Sequence, residues 1–326
     1  MMALIEAENI SRHYGLRSFL RKARCFAAVE RVTVRIDASK TLAVVGESGS
    51  GKSTLGRLLI GVDQPSGGTL RLDGRDMLSL SASQRRTMTR DLQLVFQNAL
   101  AALDPRQGIS RQIAEPLLIH GLSDGKEAGL RALQMMHAVG LGRELADRRP
   151  GELSGGQRQR AVIARALITK PRFVVFDESV SALDVSVQAQ IIALIRALRH
   201  EEGFASLFIS HDLRVVRHVA DEVAVMYLGR IVEQGPVHDL FAKPAHPYTR
   251  ALIAAIPGRQ RIDGRKIDRL GGDPPDPANK PTGCAFHTRC PIARPICTQG
   301  EPPSISVGQD HHVACHFPDK AISGQS

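Results

Sequence analysis

Tryptophan is absent from the 326 residues, and aromatic side chains make up only 4% of them. Proteins that grip single-stranded nucleic acid interleave aromatic and basic residues, and no such pattern occurs here. No run of 18 or more apolar residues exists, so the chain is not expected to span a membrane by itself. The opening stretch MMALIEAENISRHYG contains acids and no apolar core, so no secretory signal is expected. Five cysteines are too few for a disulfide scaffold, yet four of them fall within residues 284–315. Hydrophobic residues reach 43% and charged residues 23%, which is enough apolar material for a real core. The length suits two domains, or one large domain with an appendage. The net charge of +10 points to a polyanionic partner: nucleic acid, phosphates or an anionic membrane surface. Solubility plus a nucleotide pocket accounts for it equally well.

The chain is patterned as alternating strands and helices. Residues 29–37 (VERVTVRID) alternate apolar and polar, as a strand with one buried face does. Residues 41–46 (TLAVVG) are continuously apolar, as in a buried parallel strand. A Gly/Ser-rich loop follows, then a helix expected to end at Gly61. Residues 69–77 (TLRLDGRDM) read as a strand and a turn at Asp73-Gly74. Helical patterns over 111–145 break at Gly121–Gly125 and at Gly140, which suggests a helical insert. Beyond them come a helix (QRQRAVIARALIT), a buried strand (RFVVFDE), a helix (VQAQIIALIRALRH) and a strand (ASLFIS). EVAVMYLGRIVEQG follows, a hairpin through Leu228-Gly229-Arg230. The alternation predicts an α/β core with a mainly parallel sheet. Residues 257–283 are dense in Pro and Gly and read as a linker. No internal repeat is visible.

Residues 46–54, Gly-Glu-Ser-Gly-Ser-Gly-Lys-Ser-Thr, satisfy G-x-x-x-x-G-K-[ST] between a predicted strand and a predicted helix. That context separates a phosphate loop from a chance Gly/Ser turn. Glycines let backbone N–H groups turn toward phosphate oxygens, and the helix adds its positive end. Lys52 is placed to reach the β- and γ-phosphates and Ser53 to ligate Mg²⁺. A second feature is the strand 173–178, which ends in Asp177-Glu178. Carboxylates at the carboxyl end of a parallel strand lie where open α/β sheets bind ligands. Asp177 can hold Mg²⁺ and Glu178 can polarise an attacking water. Alone, the pair could equally be a helix cap or a solvated turn. A third feature is Leu153-Ser-Gly-Gly-Gln157, directly before a helix. Ser154 can cap that helix, and the two glycines expose N–H groups at its positive end. One phosphate loop already cradles one nucleotide, so this second anion site suggests a nucleotide held by another subunit.

The ordered set resembles the ATP-binding subunits of ABC transporters: Gly46–Thr54, Gln97 in LVFQ, LSGGQ at 153–157, FVVFDE at 173–178, Ser181-Ala-Leu-Asp184, and His211 in FISHD. More narrowly, it resembles the dipeptide/oligopeptide importer branch. TLAVVGESGSGKSTLGRLL, SALDVSVQAQ, HPYTRALIAAIP and the tail GCAFHTRCP…C…VACH carry that likeness. The resemblance implies a P-loop NTPase with a RecA-like core over residues 1–245, and an ABC helical subdomain over about 98–158. A small irregular C-terminal extension over 246–326 completes it. It also implies a head-to-tail dimer with two ATP molecules at the interface. Tyr14 would stack on adenine, the alternative being a core tyrosine. Gly46, Glu47, Ser48, Gly49, Ser50, Gly51, Lys52, Ser53 and Thr54 would surround the phosphates. Gln97 would ligate Mg²⁺ with Ser53 and Asp177. Glu178 and His211 would be catalytic. Ser154, Gly155, Gly156, Gln157 and Asp184 would act across the dimer interface.

Two positions depart from the branch. Ser179 stands where the family usually has proline, and Asn98-Ala99 follow Gln97 where the branch usually has Asp-Pro. The resemblance implies that the second change lies in a loop contacting the membrane partner, so it is expected to bear on pairing more than on hydrolysis.

The cysteines Cys284, Cys290, Cys297 and Cys315 are spaced C-x5-C-x6-C-x17-C. The close C-x-x-C pairs of structural zinc sites are missing. Four thiolates can hold a [4Fe–4S] cluster or Zn²⁺, and the resemblance favours the cluster. His287, His311, His312 and His316 keep zinc open, and free thiols are the third possibility. Cys25 stands apart and is expected to pack as an ordinary apolar residue.

The expected function is ATP hydrolysis energising di- or oligopeptide uptake. The implied partners are a second, distinct ATPase subunit, two membrane permease subunits and, indirectly, a substrate-binding protein, with no nucleic acid. The implied place is peripheral, at the cytoplasmic face of the inner or plasma membrane. The same motor could serve nickel, glutathione or an oligosaccharide. A soluble ABC-type ATPase acting on nucleic acid is the rival class; such chains usually carry coiled coils or two cassettes, and neither is present.

Overall fold

A computed structural model of the protein describes residues 3–16, 24–257, 261–262, 265–266 and 271–318. Two long antiparallel strands, β1 (Ala3–Leu16) and β2 (Arg24–Asp37), open the chain. They are followed by β3 (Thr41–Val45), α1 (Lys52–Leu59), β4 (Gly67–Leu72), β5 (Arg75–Asp76), α2 (Ala82–Asp91) and β6 (Leu92–Val95). A helical segment then runs through α3 (Ile109–Ile119), α4 (Gly125–Ala138) and α5 (Gly155–Leu167). The chain returns to the sheet through β7 (Phe173–Asp177), α6 (Val185–Glu202), β8 (Ala205–Ser210), α7 (Leu213–Val219), β9 (Glu222–Tyr227) and β10 (Arg230–Pro236). The C-terminal part holds α8 (Val237–Ala242), α9 (Pro247–Ala254), the short pair β11 (Arg261–Ile262) and β12 (Arg265–Lys266), α10 (Pro295–Gln299), β13 (Ser304–Gly308) and β14 (His311–Ala314).

The strands form two main sheets. An eight-stranded sheet runs β13-β14-β10-β9-β3-β8-β7-β6, and a four-stranded one runs β2-β1-β4-β5. Within the large sheet, β9, β3, β8, β7 and β6 are parallel neighbours. The expected α/β fold with a mainly parallel sheet is therefore what forms. All five residues of β3 are buried, as an unbroken apolar run between two covered faces requires. The expected hairpin at 222–235 forms through a two-residue turn in which Leu228 and Gly229 both have positive φ, of 45° and 87°. Such turns match the twist of antiparallel strands. The helix after the phosphate loop runs to Leu59 with Ile60 as its cap, and Gly61 takes the left-handed conformation at φ 75°.

Helices α3 and α4 bury Ile113, Leu117, Ala128, Ala132 and Met136 in a core that continues through α5 into Val174 and Phe176 of β7. The helical segment is thereby packed directly on the strand that carries Asp177. A second core joins α1 (Leu55, Leu58, Leu59) to both sheets through Ile5, Val32, Val44 and Leu207.

Two features lie outside the sequence reading. Strand β1 was not anticipated; its register with β2 shifts at several points, which blurs the period-two alternation. The C-terminal extension also contributes to the main sheet, because β14 pairs antiparallel with β10 at Glu233–Val313 and Gln234–His312. The buried carboxylate of Glu233 fastens that join. It accepts from the backbone N–H groups of Ala245 (2.7 Å) and His246 (2.8 Å) and from Nε2 of His311 (2.8 Å). Parts of the expected linker 257–283, and the side chain of Cys25, lie outside the described residues.

Candidate nucleotide site

The strand β3, the loop 46–51 and the N-terminus of α1 build the first wall of the site. Gly46 and Gly51 have φ of 153° and 103°. A Cβ at Gly46 would lie 2.1 Å from the carbonyl oxygen of Met226, and one at Gly51 would lie 2.1 Å from that of Ala28. Any side chain at either position would drive the loop off its two flanking strands. Lys52 is buried and folds back over the loop, its Nζ donating to the carbonyls of Gly46 and Glu47, both at 2.9 Å. Burial pulls its pKa down, while the carboxylates of Glu178, Asp177 and Glu47 oppose the shift. The loop therefore holds the Lys52 amine in place through its own carbonyls.

Strand β7 builds the opposite wall. Its last residue, Asp177, accepts a hydrogen bond of 2.8 Å from the Ser53 hydroxyl. Burial raises the Asp177 pKa; the Ser53 bond counters this, and the neighbouring Glu178 charge adds to it. Glu178 has a left-handed backbone at φ 45°, rare for a residue with a long side chain. Its own N–H donates to Ile209 O at 3.1 Å, and its carbonyl accepts from Ser181 Oγ at 2.9 Å. The turned carboxylate accepts from Gln97 Nε2 at 3.1 Å and lies 3.6 Å from Nδ1 of His211. Gln97 also donates to Ser181 Oγ at 3.3 Å. Three separate chain segments, at 97, 178 and 211, thus converge on one carboxylate. Two oxygen donors of the kind a hard cation prefers, the Ser53 hydroxyl and the Asp177 carboxylate, sit beside them.

The remaining predicted residues are distributed as follows. Ser154 caps α5, accepting from Gln157 N at 3.3 Å, while Gln157 Oε1 accepts from Ser154 N at 2.9 Å. This reciprocal box is the cap the sequence predicts. Gly155 and Gly156 face Leu183 and Val187; a Cβ at Gly156 would be 2.7 Å from Val187 Cγ1. Asp184 is exposed at the start of α6. Tyr14 donates to Asp63 Oδ2 at 3.0 Å, and its ring has Phe26 at 5.8 Å and the Arg12 guanidinium at 4.9 Å. In this structure, then, a guanidinium already lies against the ring expected to stack on adenine.

Two contacts to the phosphate loop escaped the sequence reading, because both come from the C-terminal extension. The N–H of Glu47 donates to the hydroxyl of Tyr248 at 2.9 Å. The Glu47 carboxylate accepts two hydrogen bonds from Arg289, at 2.7 and 3.0 Å. Tyr248 and Arg289 belong to the stretches HPYTR and FHTRC that the resemblance singles out. That was the available signal, but it carried no role for either residue.

Cys284, Cys290, Cys297 and Cys315 form no disulfide among the described residues. Burial raises the pKa of Cys284, that of Cys290 to about 11 and that of Cys315 to about 12; the other thiols of the group add to each shift. The N–H of Cys284 donates to the carbonyl of Cys297 at 2.8 Å. Among the described residues no group of three or more His, Cys, Asp or Glu side chains is arranged to hold a metal ion. The expected metal centre is thus not assembled here. Two of the histidines that kept zinc open are engaged elsewhere: His311 with Glu233, and His316 with the Gly300 carbonyl at 3.0 Å.

Comparison with known proteins agrees with this geometry. Residues 29–181 match the family described as ABC transporter, and residues 232–297 match the oligopeptide/dipeptide transporter C-terminal region. The di/tripeptide transport ATP-binding protein DppF of Pseudomonas aeruginosa is 45% identical over 99% of this chain and 100% of its own length. The chain belongs to the ABC transporter ATP-binding family. The oligopeptide transport ATP-binding protein AppF of Bacillus subtilis is 42% identical over 96% of this chain and 97% of its own. Among solved structures, the dimeric post-hydrolysis state of the ATP-binding cassette MJ0796, bound to ADP and Pi, superposes with a TM-score of 0.64. It is 27% identical and covers 72% of this chain and 98% of that one. As a member of this family the protein is an ABC-type ATPase with a peptide-transporter C-terminal region. Among the described residues no helix is long and apolar enough to cross a membrane.

Proposed function

We propose that the protein is the ATP-hydrolysing subunit of an importer for di- or oligopeptides, held at the cytoplasmic face of the membrane by two permease subunits. A second, related ATPase subunit would supply the other half of the motor, and a substrate-binding protein would deliver cargo. The observation that carries the reading is the convergence of Gln97 and His211 on Glu178, beside Lys52, Ser53 and Asp177, in a chain whose tail is of the peptide-transporter kind. Backbone N–H groups of the loop and Lys52 would bind the phosphates of ATP, and Ser53, Gln97 and Asp177 would hold Mg²⁺. When bound, Mg²⁺ neutralises charge that develops on the phosphates. Glu178 would accept a proton from water, with His211 and Gln97 fixing its position. Ser154–Gln157 and Asp184 would serve the partner's nucleotide. Nickel, glutathione or oligosaccharide cargo would use the same motor.

Glu178→Gln tests the chemistry. It should abolish phosphate release while ATP still binds, whereas Lys52→Ala should lose binding itself. Near-normal turnover in the Glu178→Gln protein would overturn the assignment. The four tail thiols are, by donor chemistry, suited to an iron–sulfur cluster more than to zinc, since His311 and His316 are engaged. Loading would require the thiols to deprotonate and draw together. Iron, sulfide and zinc analysis of anaerobically purified protein checks this; absence of all three would remove the metal reading.

A further inference from the structure

A carboxylate is an unexpected side chain in a loop built to hold a polyanion. Glu47 is the second residue of the phosphate loop, and two unit charges of like sign a few ångströms apart repel appreciably even near a protein surface. The structure resolves this conflict from outside the ATPase motifs. Arg289, whose side chain is only 5% exposed, holds both Glu47 oxygens in a two-pronged contact. Such fork-to-carboxylate pairs fix orientation as well as charge. The third arm of the guanidinium, Nε, donates to the Gly271 carbonyl at 3.0 Å, so the fork itself is held. The Tyr248 hydroxyl takes the Glu47 N–H, so the first turn of the loop is pinned at backbone and side chain together. Beneath lies a packed aromatic cluster. Tyr227 and Tyr248 lie 4.8 Å apart, and Phe286, three residues before Arg289, is 5.3 Å from each.

We propose that Arg289 of the cysteine-rich tail is a positioning residue for ATP binding, drawing the Glu47 carboxylate away from the phosphates and fixing the first turn of the loop. The inference rests on the reading of residues 46–54 as the cradle for ATP phosphates. It adds that the cradle is complete only when the tail is docked. Arg289 touches no nucleotide atom in this scheme; it acts through Glu47.

The test is a double-mutant cycle on the full chain, read by binding of a fluorescent ATP analogue, with thermal melting alongside. Arg289→Ala should weaken ATP binding about tenfold, because a charge-assisted pair is lost and a free carboxylate is left in the loop. In a Glu47→Gln background the same substitution should change affinity by less than about twofold, since the charge to be neutralised is gone. Arg289→Lys keeps the charge but not the fork, and should fall between the two. If Arg289→Ala fails to fold, Arg289→Lys and the double variant, which leaves no unpaired carboxylate, keep the cycle readable. Wild-type affinity in Arg289→Ala with a lowered melting temperature would make the pair a mere staple and overturn the proposal. So would an equal loss in both backgrounds, or wild-type affinity in Arg289→Lys. If the wild-type chain itself bound no ATP, the nucleotide reading would fall instead.

Discussion

Replacing Phe286 by alanine should destabilise the tail and the main sheet together. Phe286 is 1% exposed and sits between Tyr227, Tyr248 and His246, with ring centroids at 5.3, 5.3 and 5.6 Å. Truncating a fully buried phenylalanine costs about 3–5 kcal/mol, and three ring contacts place this one toward the upper end. In a chain of this size that lowers the melting temperature by roughly 4–7 °C. The chain is suited to the assay. It has no tryptophan and only three tyrosines, two of which, Tyr227 and Tyr248, touch Phe286. Intrinsic tyrosine emission therefore reports chiefly on this cluster. In urea, wild type should lose tyrosine signal and helical ellipticity in one coincident transition, since the tail and the main sheet share strands and a core. Phe286→Ala should move the midpoint strongly to lower urea. A loss below about 1 kcal/mol, or a tail transition fully separate from that of the sheet, would refute the reasoning.

Two further perturbations have signs fixed by the structure. The hydroxyl of Ser179 is buried with no hydrogen-bond partner among the described residues, so Ser179→Ala should raise stability by about 1 kcal/mol in thermal melting. A drop would mean that the hydroxyl is needed. His246 is fully buried and its Nδ1 accepts the Tyr248 N–H, and burial lowers its pKa to about 4 against the opposing charge of Glu233. The unfolded chain takes up that proton near pH 6.5 while the folded chain does not. Stability is therefore complete above pH 6.5 and declines as pH falls toward 4, by about 3 kcal/mol. His246→Gln should flatten the pH dependence of the urea midpoint across that window; an unchanged slope would show that another group sets it. Glu30, whose pKa is lowered to about 2 by Arg230 and Lys280 against the cost of burial, adds a separate acid step below pH 4.5.

What was legible in the sequence was local. The phosphate loop, its flanking strand and helix, the Ser154 cap and the Leu228-Gly229 turn each depend on a few neighbouring residues whose backbone demands are visible in their types. Asp177 and Glu178 were legible once the strand before them was. The left-handed turn that aims Glu178 at Gln97 and His211 was not, because nothing in Glu-Ser-Val announces a positive φ. Strand β1 was hidden by its bulges. The tail reads as irregular because Ser304–Ala314 is short and polar; its two strands β13 and β14 are ordered by the edge of β10, a contact no local pattern announces. Tyr14 is legible through its planarity, but nothing in its neighbours' types announces that Arg12, two residues away on the same strand, lies over the ring. Arg289 was read as part of a family stretch, since its partner is 242 residues distant.

That distance has a consequence for how the protein comes into being. The ribosome delivers the phosphate loop early, and the chain must then extend through most of its length before Arg289 and β14 emerge. Contacts of such long sequence separation form late and slowly, after the loop closure they require. A nascent chain therefore carries every ATPase motif from Gly46 to His211 before Arg289 and β14 emerge to finish the cradle. Nucleotide affinity would then rise when the tail docks, by about the tenfold that loss of Arg289 removes.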